Sequence, residues 1–419
     1  MGERAILFAI DNGSEGFSVE DSLRELTQLA WSNDFETCQV LIQRRLNPDP
    51  GTYLGEGKVA ELKSLLVEHE AELAICDDEL NAAQVYNLEE RLNVHVIDRT
   101  QLILDIFAHR ANSREGKVQV ELARLSYLLP RLTGKGVQMS RMGGGAATQG
   151  TKRGPGETKL EMDRSYIRHR IAQLRRELKV IRSRRCLQRR TRRRFDTGMV
   201  ALVGYTNAGK STLLNTLTGA QVLVENRLFA TLDPTIRKIQ LPCGEEVCLI
   251  DTVGFVRKLP HDLVAAFRAT LEEVVEADVL LHVLDAAHPH MWEQAQAVHT
   301  ILAELGVMHK PMVTAFNKAD LLSDEEVKAL CARVPQSCAV SAINAQGCDA
   351  LRQLICAALP ERFVVRTYRV PYSDGQAVNW LHNTGLVLHE RYHADAVEIK
   401  VELRGSMTGH LHAYEQPGG

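Results

Sequence analysis

At 419 residues the chain is too long for one compact core, so two to four domains are expected. Its 45% hydrophobic and 25% charged residues are ordinary for a soluble globular protein, and no apolar run approaches the roughly 18 residues that span a bilayer. The net charge of −3 hides an uneven distribution: between Arg164 and Arg194 stand fourteen Lys or Arg and one acid, Glu177, which points to a polyanionic partner met by one region.

The start of the chain, Met1 to Ile10, has neither a basic segment nor a signal-like apolar core, so a cytoplasmic protein is expected. Nine scattered cysteines form no C-x-x-C pair, and such a set is expected to be reduced thiols. In chain order, Ala5–Ile10 reads as a strand, and Val19–Ala30 as a helix capped by Ser18. A second helix follows Gly57, with Val59, Leu62, Leu65 and Leu66 on one side. Leu73–Cys76 and Val94–Ile97 read as buried strands around a helix at Ala82–Leu92, and Thr100 is placed to cap a further helix. This alternation predicts a small α/β unit with a parallel sheet.

From Val118 the period changes. Val118, Leu122, Leu125, Leu129 and Leu132 are spaced 4, 3, 4, 3, and the spacing recurs at Ile167, Ile171, Leu174, Leu178 and Ile181. Two matching heptad seams predict an antiparallel helical hairpin. Pro130 is expected to kink or end its first helix. The glycine-rich connection Thr133–Glu157 is expected to be too flexible to carry a core. Beyond Thr197 strands are expected at Met199–Val203, Val247–Asp251, Val279–Leu284, Pro311–Phe316 and Ala339–Val340, with helices between them. A last α+β segment has strands near Thr367–Pro371, Gly385–Tyr392 and Ala396–Leu403 and a helix near Gln376–Asn383.

The chemistry is concentrated in four strings. Gly204-Tyr205-Thr206-Asn207-Ala208-Gly209-Lys210-Ser211 fits G-x-x-x-x-G-K-[ST], follows an apolar strand and opens a helix, which is the context a phosphate loop requires. Its backbone N–H groups and helix N-terminus attract phosphate, Lys210 should meet the β- and γ-phosphates, and the Ser211 hydroxyl should ligate Mg²⁺. Asp251-Thr252-Val253-Gly254 follows the next apolar strand, where the aspartate should hold a metal-bound water and the Gly254 N–H should touch the γ-phosphate. Asn317-Lys318-Ala319-Asp320 offers a carboxylate that accepts two N–H bonds from guanine but meets a lone pair on adenine. Ser341-Ala342-Ile343 follows the last strand and brings backbone N–H groups to the guanine oxygen. Their order points to GTP with Mg²⁺. The second hydroxyl ligand falls in Phe229-Ala230-Thr231-Leu232-Asp233-Pro234-Thr235, at Thr231 or Thr235. Where Ras-type GTPases place a water-orienting glutamine after D-x-x-G, this chain has Phe255, so no catalytic residue is assigned and slow intrinsic hydrolysis is expected.

These strings, with DTVGFVRKLP at 251–260, resemble the HflX family within the Obg–HflX group of GTPases. Gly55-Glu56-Gly57-Lys58 is similar to the family's N-terminal G-x-G-K signature, and Arg153 to Arg164 to its glycine-rich linker. The resemblance covers roughly residues 20 to 360. It implies Thr231 as the switch ligand, a GTPase, and binding to the large ribosomal subunit with separation of stalled or idle ribosomes. Ile343 stands where a lysine is commoner, and Gly145–Gly150 departs from the usual linker spacing.

The basic helix is the expected rRNA contact, through Arg175, Arg176, Lys179, Arg182, Arg184, Arg185, Arg189 and Arg190. Lys135, Arg141, Lys152, Arg153 and Lys159 would let the glycine-rich loop enter an RNA cleft. His288, His290, His410 and His412 read as surface histidines, Asp77-Asp78-Glu79 as a turn and helix start, and Trp31, Trp292 and Trp380 as packing residues. The expected architecture is α/β: an N-terminal domain over 1–112, a helical hairpin over 113–196, a P-loop GTPase domain with a mostly parallel sheet over 197–360, and a small α+β module over 361–419. The expected partners are GTP or GDP and the large subunit's rRNA, with no DNA, no stable membrane insertion and a monomeric chain. An RNA remodeller is the rival enzyme, although only one P-loop is present. A nucleotide-gated adaptor for a membrane or protein is the rival binding module.

Overall fold

A computed structural model describes residues 2–13, 18–142, 155–193, 197–219, 228–229, 234–258, 271–360 and 363–415. The chain falls into two compact units. One is Met1–Arg185 with Glu225–Asp233 and Val253–Thr270, and the other is Cys186–Val224 with Pro234–Thr252 and Leu271–Gly419.

The first unit is built on strands β1 (Arg4–Asp11), β2 (Glu36–Arg44), β3 (Leu73–Cys76) and β4 (His95–Asp98). They lie in the order β2-β1-β3-β4, with every pairing parallel. Parallel neighbours require crossovers, supplied by α1 (Val19–Ser32), α2 (Glu56–Glu68) and α3 (Ala82–Leu92). Ser18 caps α1 by accepting from the Asp21 N–H, and Asn81 with Gln84 closes a capping box on α3. Leu62, Leu66, Leu88 and Leu92 pack on Ile6, Phe8 and Ala74 of the sheet. Strand β2 has no counterpart in the sequence reading; only Leu41 of it is fully buried, so it lacks the alternation that betrays a strand. The cap of α4 (Arg99–Arg110) also differs from expectation. Asp98, not Thr100, accepts the Gln101 N–H at 2.9 Å, and Thr100 lies buried inside the first turn.

Helices α5 (Arg114–Met142) and α6 (Pro155–Arg193) form the hairpin. Val118 and Leu122 pack with Ile171, Leu174 and Leu178. Arg114 pairs with Glu177, and Glu121 with Arg170, so a step forward along α5 matches a step back along α6. Pro130 does not end α5. Beside it, Arg131 donates to the Leu80 carbonyl and to Asp98, both at 2.6 Å, which ties this part of α5 to the end of β4. Much of the expected flexible connection is therefore helical, because α5 runs to Met142 and α6 begins at Pro155. Residues 143–154, Gly145–Gly150 among them, lie outside the described residues.

The second unit carries a six-stranded sheet in the order β10-β9-β8-β5-β7-β6. Its strands are β5 (Gly198–Gly204), β6 (Thr235–Gln240), β7 (Glu246–Asp251), β8 (Val279–Asp285), β9 (Met312–Asn317) and β10 (Ser337–Ala339). All pairings are parallel except β6 with β7, an edge hairpin missing from the sequence reading because only Ile239 of β6 is buried. Helices α7 (Lys210–Thr218), α8 (Met291–Glu304), α9 (Asp324–Arg333) and α10 (Cys348–Ala358) follow in order. A separate antiparallel sheet joins β11 (Phe363–Pro371), β13 (Ala396–Arg404) and β12 (Leu386–Tyr392). Its core of Tyr368, Val370, Ile399, Val401 and Leu403 is covered by Ala377 and Leu381 of α11 (Gly375–Thr384). Trp292 and Trp380 are packed, whereas Trp31 is half-exposed on α1. The cysteines are not all thiols: Cys243 and Cys356 are joined in a disulfide between two elements 113 residues apart, a closeness that linear spacing does not reveal.

Candidate nucleotide-binding site

At the carboxyl end of β5 the chain turns sharply. A Cβ on Gly204 would stand 2.3 Å from the Val283 carbonyl of β8, so only glycine permits this approach. Tyr205, Thr206 and Ala208 are buried, and Asn207 is exposed with φ +60°. Gly209 takes φ +89°, and a Cβ there would meet Asn317 Nδ2 at 2.2 Å. This tight loop leads directly into α7. Lys210 at its start is buried, donating to the carbonyls of Gly204 (3.1 Å) and Tyr205 (2.8 Å). Burial lowers its ammonium to about 8, with Asp251 pulling the other way. The Ser211 hydroxyl donates to Asp251 Oδ2 at 2.6 Å, and the Thr252 hydroxyl to the Leu202 carbonyl at 2.6 Å.

Asn317 ties the loops together. Its Nδ2 donates to the Ala208 carbonyl at 2.8 Å, and its Oδ1 accepts the Ala342 N–H at 3.1 Å. Thr216 of α7 donates to the Ala342 carbonyl at 2.6 Å. The structure thus brings the first, third and fourth strings together around one buried amide. Lys318, at φ +62°, places its ammonium 2.6 Å from Asp285 Oδ2. Ala319 donates its N–H to the Val340 carbonyl, Asp320 is exposed, Ser341 is buried and Ile343 is 79% exposed. Sequence reasoning missed Asp285 and Thr216; an acid ending the apolar strand β8 was the available signal.

The Val253-Gly254-Phe255 stretch groups with the first unit, Val253 and Phe255 buried and Gly254 partly so. Within that unit Lys258 reaches Asp77 at 2.5 Å and Asp78 at 2.6 Å. Asp77 also accepts from Ser22, and Arg99 lies between it and Glu25. The charges of Arg99 and Lys258 hold the buried Asp77 carboxyl below its ordinary range against the opposing effect of burial. Asp77 and Asp78 are therefore ion-pair partners as well as a turn, which local sequence did not signal. Phe229 is buried with its ring 4.6 Å from Phe107, and the Leu228 N–H donates to Ser32. Ala230, Thr231, Leu232 and Asp233 lie outside the described residues.

Three family models match the chain: a GTP-binding GTPase N-terminal region over residues 20–108, a GTP-binding GTPase middle region over 110–192, and a 50S ribosome-binding GTPase over 199–318. A GTPase HflX of Caldanaerobacter subterraneus subsp. tengcongensis is 47% identical over 96% of this chain and 91% of its own length. This chain belongs to the HflX family of GTPases. The HflX of Escherichia coli strain K12 is 42% identical over 90% of this chain and 87% of its own. Among solved structures, an SsGBP–GDP complex aligns at 26% identity and TM-score 0.48, over 85% of this chain and 98% of that one.

In this HflX-family site the donors suit magnesium, a cation that takes hard oxygen ligands. The Ser211 hydroxyl and the Asp251 carboxylate sit together at the start of α7, and Thr206 Oγ1 is buried without a hydrogen bond. Ser211 would hold the ion directly and Asp251 through water; the ion would neutralise phosphate charge. Of the candidate RNA contacts, Arg175, Arg176 and Lys179 are exposed on α6. Arg182, Arg184, Arg185, Arg189 and Arg190 lie on the same helix, with side chains outside the described set. His288 and His290 occupy the turn before α8, and no helix among the described residues is long and apolar enough to cross a membrane.

Proposed function

We propose that the chain binds GTP with Mg²⁺ at the four strings, hydrolyses it to GDP and phosphate, and in its GTP form attaches to the large ribosomal subunit to split or rescue stalled or idle ribosomes. The observation that carries the nucleotide reading is the Asn317 bridge, which joins the phosphate loop to the loop that would frame the base. Lys210 would leave its main-chain carbonyls for phosphate oxygens, and Asp320 would select guanine. Phe255 is buried and apolar, so it cannot orient water. Hydrolysis would be slow until the ribosome supplies a group that positions the attacking water. The GTPase domain over 197–360 would be the nucleotide-driven part and the hairpin over 113–196 the part that meets rRNA, with the N-terminal domain over 1–112 and the module over 361–419 flanking them. Separation of subunits would draw on the differing affinities of the GTP and GDP forms.

The rRNA reading rests on the exposed Arg175, Arg176 and Lys179, on a helix whose charge is overwhelmingly positive. Co-sedimentation with large subunits should be stronger with a non-hydrolysable GTP analogue than with GDP. It should weaken steeply between about 50 and 200 mM salt. Replacing Arg175, Arg176 and Lys179 together by glutamine should reduce the logarithmic salt slope by about 2 to 3. Equal binding in both nucleotides, a flat salt response, or flotation with acidic liposomes in place of ribosome binding would reject the assignment.

A further inference from the structure

The Cys243–Cys356 bond lies outside the candidate nucleotide contacts but joins a hairpin and a helix that adjoin them in sequence. Cys243 sits in the tight turn of the β6–β7 hairpin, closed by hydrogen bonds between Leu241 and both Gly244 and Glu245. One arm of this hairpin begins at Thr235, the last residue of the candidate switch segment, and the other ends at Asp251, the partner of Ser211. Cys356 lies on α10, the helix that follows the Ser341–Ile343 loop. On the same helix Arg352 donates to the Leu217 carbonyl at the end of α7. The disulfide therefore braces an edge hairpin, held to the sheet only through β7, against the helix behind the base loop.

Both cysteines are partly exposed residues at the rim of the core. The other cysteines of that core are poorly suited to exchange. Burial raises Cys338 to about 12 and raises Cys348 as well, so neither supplies much thiolate at neutral pH. Among the described residues no second disulfide is present.

We propose that Cys243 and Cys356 form a reversible redox modification site that tightens the nucleotide-binding fold when oxidised. The oxidant is a small-molecule disulfide. One cysteine thiolate attacks it, forming a mixed disulfide and expelling one thiolate. The second cysteine thiolate then attacks the protein sulfur and expels the other. The two cysteines lose two protons and two electrons, and one oxidant disulfide becomes two thiols. Oxidation closes a long loop, which restrains the unfolded chain, and it ties down an edge hairpin that would otherwise open locally.

The effect on nucleotide release rests on the function proposed above; the effect on thermal stability does not. Full-length protein is equilibrated with oxidised glutathione or with dithiothreitol, then alkylated, digested and mapped by mass. Melting is recorded without nucleotide, and release of fluorescent GDP is followed separately. Oxidation should yield the Cys243–Cys356 linked peptide and raise Tm by about 5 °C or more. GDP release should slow by about threefold or more. Dithiothreitol should reverse every change in the native protein, and Cys243→Ser should show none of them. A missing linked peptide, a bond that native protein does not reopen, or an unchanged Tm overturns the proposal. A raised Tm with unaltered GDP release overturns the brace on the nucleotide site, whereas failure to bind GDP in either state refutes the nucleotide reading alone.

Discussion

Replacing Asn317 by alanine removes the amide that bridges the phosphate loop and the base loop. Two hydrogen bonds are lost, to the Ala208 carbonyl and from the Ala342 N–H, at a residue only 2% exposed. Each neutral bond is worth about 1 kcal/mol net, and a buried partner left unpaired costs about 1 to 3 kcal/mol. Because the unpaired penalty already contains the lost bond, the Ala208 carbonyl and the Ala342 N–H, each at the lower half of that range, together cost about 2 to 4 kcal/mol. If that loss falls on the assembled site, GDP affinity drops by about 30- to 1,000-fold. If it falls on the fold, Tm drops by about 5 to 15 °C. Calorimetric titration with GDP and a thermal melt on the same preparation separate the two. Asn317→Asp sharpens the comparison: its carboxylate can still accept the Ala342 N–H, but it turns a lone pair toward the Ala208 carbonyl. It should therefore do no better than alanine. An alanine variant within about twofold of wild type in affinity and within about 1 °C in Tm would refute the bridge as the organiser of the site.

If Lys210 meets phosphate as proposed, nucleotide binding is proton-linked. Burial lowers its ammonium from 10.5 to about 8, so between those values the unfolded chain holds a proton that the folded chain lacks, and stability rises with pH across that window. Phosphate favours the charged amine. Calorimetry in buffers of different ionisation heat should show proton uptake on GDP binding near about pH 9 and little near about pH 7, and equal uptake at both would count against it. Asp98 anchors the hairpin to the first sheet by accepting from Tyr127 (2.6 Å), Arg131 (2.6 Å) and the N–H groups of Leu80 (3.0 Å) and Gln101 (2.9 Å). Asp98→Ala leaves Arg131 hydrogen-bonded to main-chain carbonyls alone, takes the acceptor from the Tyr127 hydroxyl and uncaps α4, and should cost about 3 to 5 kcal/mol, read as a lower denaturant midpoint; a loss under about 1 kcal/mol would show that the anchor is dispensable.

Local patterns in the sequence were enough for the elements whose cause is local. Ser18 and the Asn81–Gln84 box start helices within a few residues of themselves, the 4–3 spacing places the hairpin seam, and the glycines, lysine and serine of the phosphate loop carry their chemistry in eight consecutive positions. Family membership followed from such strings. Tertiary structure decided what depends on closing long loops or on a neighbour's surface. Strands β2 and β6 bury one full side chain each, and their pairing partners, not their own periodicity, make them strands. Arg131, beside Pro130 inside α5, finds Asp98, and Asp77 meets Lys258 across most of the first unit's sequence. Cys243 and Cys356, unremarked in a scattered set, become bonded only when a hairpin turn and a distant helix share one core. Capping and periodicity act over a few residues through the backbone itself, whereas ion pairs and sulfur bridges act through space and exist only once the fold has closed the chain between them.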